Sequence, residues 1–159
     1  MRYPMRGVTL IELVMVVILV SSLAATVAIG PNAYKQHSVV VQADEFRRAV
    51  SHAQLLAISQ SARLRLTTSA SGYSVGVCSN TQCSSVSALT DPATGSPFSD
   101  DFSAENITLS GTTIEFDSMG RPQSGGALRD TAATFTFSGG GTSVSVSVLP
   151  ITGFSQTSS

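Results

Sequence analysis

The chain has 159 residues, 42% hydrophobic and 12% charged, with a formal net charge of -1 and no Trp. That length holds one domain and an appendage, and a charge share of about half the globular norm leaves Ser, Thr and Gly to supply the polar surface. Near-neutrality excludes the sequence-independent electrostatic pull by which basic proteins hold nucleic acid or anionic membranes.

Arg2 and Arg6 open the chain, and residues 8–30 then read VTLIELVMVVILVSSLAATVAIG, with Glu12 their sole charge. As a helix rising about 1.5 Å per residue, this run spans the ~30 Å of a bilayer core. The basic residues ahead of it, with no acid among them, place Met1 in the cytoplasm and everything after Gly30 on the far side. Three readings compete: a secretory signal peptide cut near Thr26-Val27-Ala28, a plain signal anchor, and a prepilin leader. Glu12 separates them. A carboxylate in an apolar span costs about 2.5–3.5 kcal/mol at the helix centre, and neither an ordinary signal peptide nor an ordinary anchor has a use for one so near its start.

Gly7-Val8-Thr9-Leu10-Ile11-Glu12 resembles the G|FTLIE motif of type IV prepilins and type II secretion pseudopilins, with Val8 where those families most often have Phe. The resemblance implies that a prepilin peptidase cuts between Gly7 and Val8, that Val8 becomes the N-methylated terminus, and that Glu12 serves subunit assembly. The physics of the residue agrees. A buried carboxylate persists when it is paired, and cleavage creates a free amine four residues before Glu12. In a bundle of such helices each Glu12 can meet a neighbour's amino terminus and fix axial register, a role better attested for buried pairs than net stabilisation. Outside an assembly the carboxylate can reach the lipid headgroups.

Beyond the apolar run, Gly30 and Pro31 interrupt the helix. Residues 39–62 form an amphipathic helix, with Val39, Phe46, Val50, Ala53 and Ala57 on one stripe and Asp44, Glu45, Arg47 and Arg48 on the solvated face. After Ala62 the period changes to two: Leu64 and Leu66 alternate with Arg63 and Arg65, and Tyr73, Val75 and Val77 follow a turn at Ser71-Gly72. Residues 107–109 and 113–116 read as short strands around Ser110-Gly111. Residues 134–137 and 143–149 read as a hairpin about Gly139-Gly140-Gly141, and residues 79–103 as a long Ser/Thr/Asp/Pro/Gly loop. The expected fold is α+β and pilin-like: one long N-terminal helix, its first half transmembrane, packed by its second half on a small antiparallel β-sheet. Residues 1–7 would be the leader, 8–32 the transmembrane and filament-core helix, and 33–159 a soluble headgroup.

Two further stretches carry weaker resemblances. Phe116-Asp117-Ser118-Met119-Gly120-Arg121-Pro122 is similar to the F-x-x-x-G-R-x turn of GspH/FimT-like pilins, and Pro150-Ile151-Thr152-Gly153-Phe154 to the closing Gly-aromatic of mannose-sensitive-haemagglutinin minor pilins. A plain structural reading of Gly120, Arg121 and Pro122 is a turn residue, a capping cation and a rigid exit. Cys78 and Cys83, once exported, can close one small disulfide loop; a metal site would need a second ligand pair close by.

No catalytic, cofactor or metal constellation is legible. His37 and His52 fall on one helix more than ~20 Å apart and read as exposed helix residues. The Gly139–141 run lacks the Lys and following helix of a phosphate loop, and Asp100-Asp101 reads as a solvated loop. The function expected is a non-enzymatic structural minor subunit of a type IV pilus. It would insert in the inner membrane with its terminus cytoplasmic, and then enter the filament with its headgroup periplasmic or extracellular. Its implied partners are prepilin peptidase, other pilins or pseudopilins through the N-terminal helix, and the inner-membrane assembly platform. A type II secretion pseudopilin is the alternative, and a tip adhesin or DNA-binding pilin the alternative of another class. A C-terminal DNA grip is not supported, since no Lys or Arg follows Arg129.

Overall fold

The structure is a computed structural model that describes residues 9–27 and 31–158, with side chains for residues 9–22 and 37–158. Two helices, α1 (Leu10–Val27) and α2 (Pro31–Ser59), precede eleven strands. Pro31 opens α2, where a missing N–H costs no intrahelical bond. At the other end α2 stops three residues short of Ala62. Ser61 turns left-handed (φ 50°), and the N–H groups of Ser61 and Ala62 close back on the carbonyls of Ile58 and Ala57 at 3.2 and 3.1 Å. This is a Schellman close with Ser in the place usually held by Gly.

The strands are β1 (Leu64–Ser69), β2 (Gly72–Cys78), β3 (Val86–Ala88), β4 (Ser99–Asp101), β5 (Thr108–Gly111), β6 (Ile114–Phe116), β7 (Pro122–Ser124), β8 (Ala127–Leu128), β9 (Ala133–Gly139), β10 (Thr142–Val148) and β11 (Ser155–Ser158). They form two antiparallel sheets: one in the order β3-β2-β1-β6-β7-β8, with β4 also on β2, and one in the order β11-β10-β9-β5. The hairpin expected between residues 134 and 149 is β9–β10, with Gly140 and Gly141 both at positive φ between the paired Gly139 and Thr142. That backbone is the one a two-residue hairpin turn needs.

Two expectations are corrected, the single sheet and the long loop. A single small sheet was expected, and there are two. The strands around Ser110-Gly111 fall one in each sheet. In β5, Leu109 lies opposite Phe137 of β9; in β6, Ile114 and Phe116 lie opposite Leu66 and Leu64 of β1. Each takes an apolar cross-strand partner in its own sheet, and the chain crosses between sheets just after Gly111, where a Cβ would stand 2.4 Å from the Phe135 ring. The expected loop of residues 79–103 instead contributes the edge strands β3 and β4 and buries Leu89, Phe98 and Phe102.

Both sheets pack on α2. Val39, Phe46, Val50, Ala53 and Ala57, the expected stripe, are all fully buried, joined by Ala43, Ala49 and Leu56. The alanines let the strands approach closely, and Phe46 fills the junction. Its ring centroid lies 5.2 Å from that of Tyr73 in the first sheet and 4.9 and 5.3 Å from those of Phe135 and Phe137 in the second. Burial, with the Asp100 and Glu45 carboxylates adding to it, pushes the Tyr73 phenol up. No described residue of α1 belongs to this core.

Candidate functional site

Helix α1 is apolar on every described side. Leu10, Ile11, Leu13, Met15, Ile18 and Leu19 are each at least 60% exposed, and Val14, Val16, Val17 and Val20 are open as well. Ser21 and Ser22 donate to the carbonyls of Val17 and Leu19 at 2.7 and 2.8 Å, so their hydroxyls need no outside partner. A helix apolar all round is stable only when something apolar covers it. Glu12, exposed in the first turn, is the one charge in α1.

Sequence reasoning missed how this helix starts. Thr9 is its N-cap, accepting the Glu12 N–H on Oγ1 at 3.3 Å and on its carbonyl at 3.1 Å. The signal was legible as Thr9-x-x-Glu12 ahead of an apolar run, the spacing of a capping box. Gly7 and Val8, the expected cut and methylation positions, lie outside the described residues. Among the described residues no helix is long and apolar enough to cross a membrane; the expected span runs past them at both ends.

The headgroup holds the two motif stretches together. Asp117 organises the first: its Oδ1 accepts the N–H groups of Met119 and Arg121 at 3.0 and 2.8 Å, and its Oδ2 accepts Arg121 Nε and Gln123 Nε2 at 2.9 and 3.0 Å. Gly120 (φ 74°) makes the turn and also the fit, since a Cβ there would stand 2.7 Å from Ile58 Cδ1. In the second stretch a Cβ on Gly153 would stand 2.5 Å from Gln54 Nε2. That same Nε2 donates to Gly120 O and to Thr152 O, both at 2.7 Å. One α2 amide thus clasps two turns far apart in sequence. Arg121 caps no helix; it pairs with the carboxylate of its own turn.

Behind this turn, on the sheet face away from α2, lies a buried polar network. Glu115, 3% exposed, accepts Arg65 Nε and Nη2 at 3.2 and 2.7 Å and Arg63 Nη1 at 3.4 Å, and Arg63 Nη2 donates to Gln123 Oε1. Among the described residues no buried side-chain polar atom lacks a partner, which is the condition for such a network to be tolerated. Cys78 and Cys83 are bonded to each other, and their loop covers this face through a bond from Arg63 Nη1 to Thr81 O.

The histidines separate as expected but differ in setting. His37 is exposed, whereas His52 is half-buried, its ring 5.2 Å from that of Phe98 and its Nε2 4.0 Å from Asp91. The loop that was expected to be free of structure covers it. On the expected solvated face, Asp44 pairs with Arg47 and Arg48, whose hydrogen bonds hold its carboxyl below the usual range. Asp101 accepts the Ser103 N–H at 2.9 Å. Among the described residues no group of three or more His, Cys, Asp or Glu could hold a metal ion.

The family described as type II transport protein GspH matches residues 42–152, from the middle of α2 to the Gln54-clasped C-terminal turn. The chain belongs to the GspH family. A crystal structure of the type IV minor pilin FimU from Pseudomonas aeruginosa is similar in fold, with a TM-score of 0.56 and 18% identity, covering 80% of this chain and 90% of that one. Comparison with curated proteins gives no match. The GspH match takes in Gln54 and the whole Asp117 turn and ends at Thr152, inside the second motif stretch, while α1 lies ahead of it.

The Asp117 turn of this GspH-family headgroup gives an acid-sensitivity test. Burial alone would push the Asp117 carboxyl up; the Arg121 and Met119 N–H groups and the Arg121 guanidinium outweigh it and hold the carboxyl below the ordinary range. A depressed folded value means that the stabilisation is present above the unfolded value of ~3.9 and is lost as pH falls through the folded one. Melting curves at pH 6 and pH 3 should show a larger fall in midpoint for the wild type than for Asp117→Asn. Equal falls would assign the acid loss to other carboxylates.

Proposed function

We propose that this GspH-family chain is a structural minor subunit of a type IV pilus, held in the inner membrane and assembled through residues 8–32. The observation that carries the reading is α1, a helix with apolar side chains open on every described side and a single carboxylate in its first turn. Neighbouring helices of the same kind would cover that surface in a filament, as lipid would before assembly. The headgroup supplies the rest of what a subunit needs, a core of its own built on α2 with no described residue of α1 in it. Residues 1–7 act as the leader, prepilin peptidase cuts after Gly7, and Val8 is methylated. Glu12 then meets the amine of a neighbouring subunit, and the inner-membrane platform moves the assembled chain outward, so that the headgroup is periplasmic or extracellular.

The first test is covalent. Intact mass and terminal sequencing of membrane-derived protein should give a chain that starts at Val8 and carries one added methyl. A terminus near Ile29 would identify an ordinary signal peptide and overturn the reading.

A second reading, a pseudopilin of a type II secretion system, is favoured by the description of the matching family as a type II transport protein. The two separate on deletion of the gene. Loss of surface pili with normal export of secreted proteins supports the pilus; accumulation of exoproteins in the periplasm with normal pili supports the pseudopilus.

A further inference from the structure

The disulfide loop and the Gln54 clasp lie on opposite sides of the first sheet, yet an unbroken series of polar contacts joins them. Thr81 O accepts Arg63 Nη1, Gln123 Oε1 accepts Arg63 Nη2, and Gln123 Nε2 donates to Asp117 Oδ2 at 3.0 Å. Asp117 Oδ1 holds the Met119 and Arg121 N–H groups, and the turn they shape offers Gly120 O to Gln54, which also holds Thr152 O. We infer that the Cys78–Cys83 bridge is a redox-sensitive brace: closed, it seats the loop on Arg63 and thereby holds the residue 117–121 turn and its clasp in register; opened, it releases both.

Three observations point this way. Cys83 is 1% exposed and sits at φ 52°, a left-handed conformation that a residue with a Cβ adopts only when its surroundings impose it. The loop is fitted to its seat, since Gly126 (φ 89°) faces Thr81 O with room for no more than a Cβ at 3.0 Å. The far end of the series also carries something to control. Met119, Ile151 and Phe154, each at least 61% exposed, stand on the two clasped turns, and the partly exposed Ile58 abuts Gly120. The relative placement of these four side chains depends on Gly120 and Thr152 staying on Gln54.

Opening balances as ordinary exchange. A thiolate of a dithiol attacks the half-buried Cys78 sulfur and forms a mixed disulfide, and Cys83 leaves as a thiolate and takes a proton. The second thiol of the reagent then closes its own ring and frees Cys78. The reagent is oxidised by two electrons, and the protein gains two thiols. Cys83 can then leave its left-handed conformation, the loop lifts, and Arg63 loses its carbonyl acceptor and its cover together.

The test is hydrogen exchange, read by mass spectrometry on the full-length protein in detergent micelles, with and without dithiothreitol. On reduction, amides of residues 117–123 and 150–154 should exchange at least ~10-fold faster, a change of about one decade in opening equilibrium, while those of β9 and β10 stay unchanged. A change confined to residues 79–85 would overturn the brace, and so would a uniform rise across β9 and β10, which would make the bridge a general stabiliser. In Arg63→Gln the turn should already exchange fast, and reduction should add nothing at residues 117–123. A persistent oxidised-to-reduced difference there would rule out the route through Arg63. Should that variant lose its β9–β10 protection, the wild-type comparison decides alone.

Discussion

Glu12→Gln should leave a processed, membrane-resident chain that is all but absent from sheared filaments. In lipid the side chain reaches the headgroups, so insertion does not depend on its charge. In a packed bundle the headgroups are gone, and the amine at Val8 of a neighbour is the carboxylate's partner. Removing one member of a buried pair costs on the order of 3–5 kcal/mol, because the other charge stays behind uncompensated; that is a factor of roughly 10²–10⁴ in incorporation. The structure supplies the control. The cap on α1 is made by Thr9 to the backbone N–H of Glu12, so Gln leaves the start of the helix intact and a failure to assemble reports charge. Thr9→Ala does the converse, losing a cap worth about 1 kcal/mol while keeping the carboxylate, and should assemble with a modest deficit. Glu12→Asp keeps the charge on a shorter arm and should fall between. The readout is subunit in the sheared fraction against the membrane pool. Normal incorporation of the Gln variant would sink the register role and leave apolar packing of α1 as the determinant.

What the sequence disclosed follows the range of each signal. The α2 stripe was legible because a helix face repeats within the window that defines it, and Leu64, Leu66 and the β9–β10 hairpin because alternation and a Gly turn are local too. The partition of the strands was not legible: Ile114 and Leu109 are both apolar residues in short strands, and only the positions of Leu66 and Phe137 in space decide which sheet each joins. The end of α2 was overrun because Ser61 turns left-handed without the Gly that usually announces it. At the headgroup, Gly120 and Gly153 stood out as motif glycines, but Gln54, which gives them a common purpose, is one polar residue on a helix flank. Glu115 was hidden for a similar reason. Its partners are Arg65 of β1 and Arg63 just before it, and alternation alone marks it as an outward-facing charge with no hint that a bonded loop covers this face.

Phe46→Ala should be the most damaging single change in the headgroup. The side chain is fully buried, the largest in the α2 stripe, and the point where both sheets meet the helix. Truncation removes its transfer free energy and leaves a cavity walled by Tyr73, Phe135 and Phe137, which sit on two different sheets and so cannot close in as one unit. The expected cost is about 3–5 kcal/mol, a large part of the ~5–15 kcal/mol that holds a domain folded. The melting midpoint should fall by roughly 10–20 °C. Phe46→Leu keeps most of the apolar volume but forfeits the ring contacts, each worth ~0.5–1.5 kcal/mol, and should fall in between. Val40→Ala on the same helix, at a side chain 50% exposed, should stay within ~0.5 kcal/mol of wild type. The chain has no Trp but three Tyr, so near-ultraviolet circular dichroism of the Tyr signal, Tyr73 being packed on Phe46, follows the loss directly. If Phe46→Ala melts where Val40→Ala does, the two sheets do not depend on α2 for their packing, and the headgroup core must be redrawn around β9 and β10.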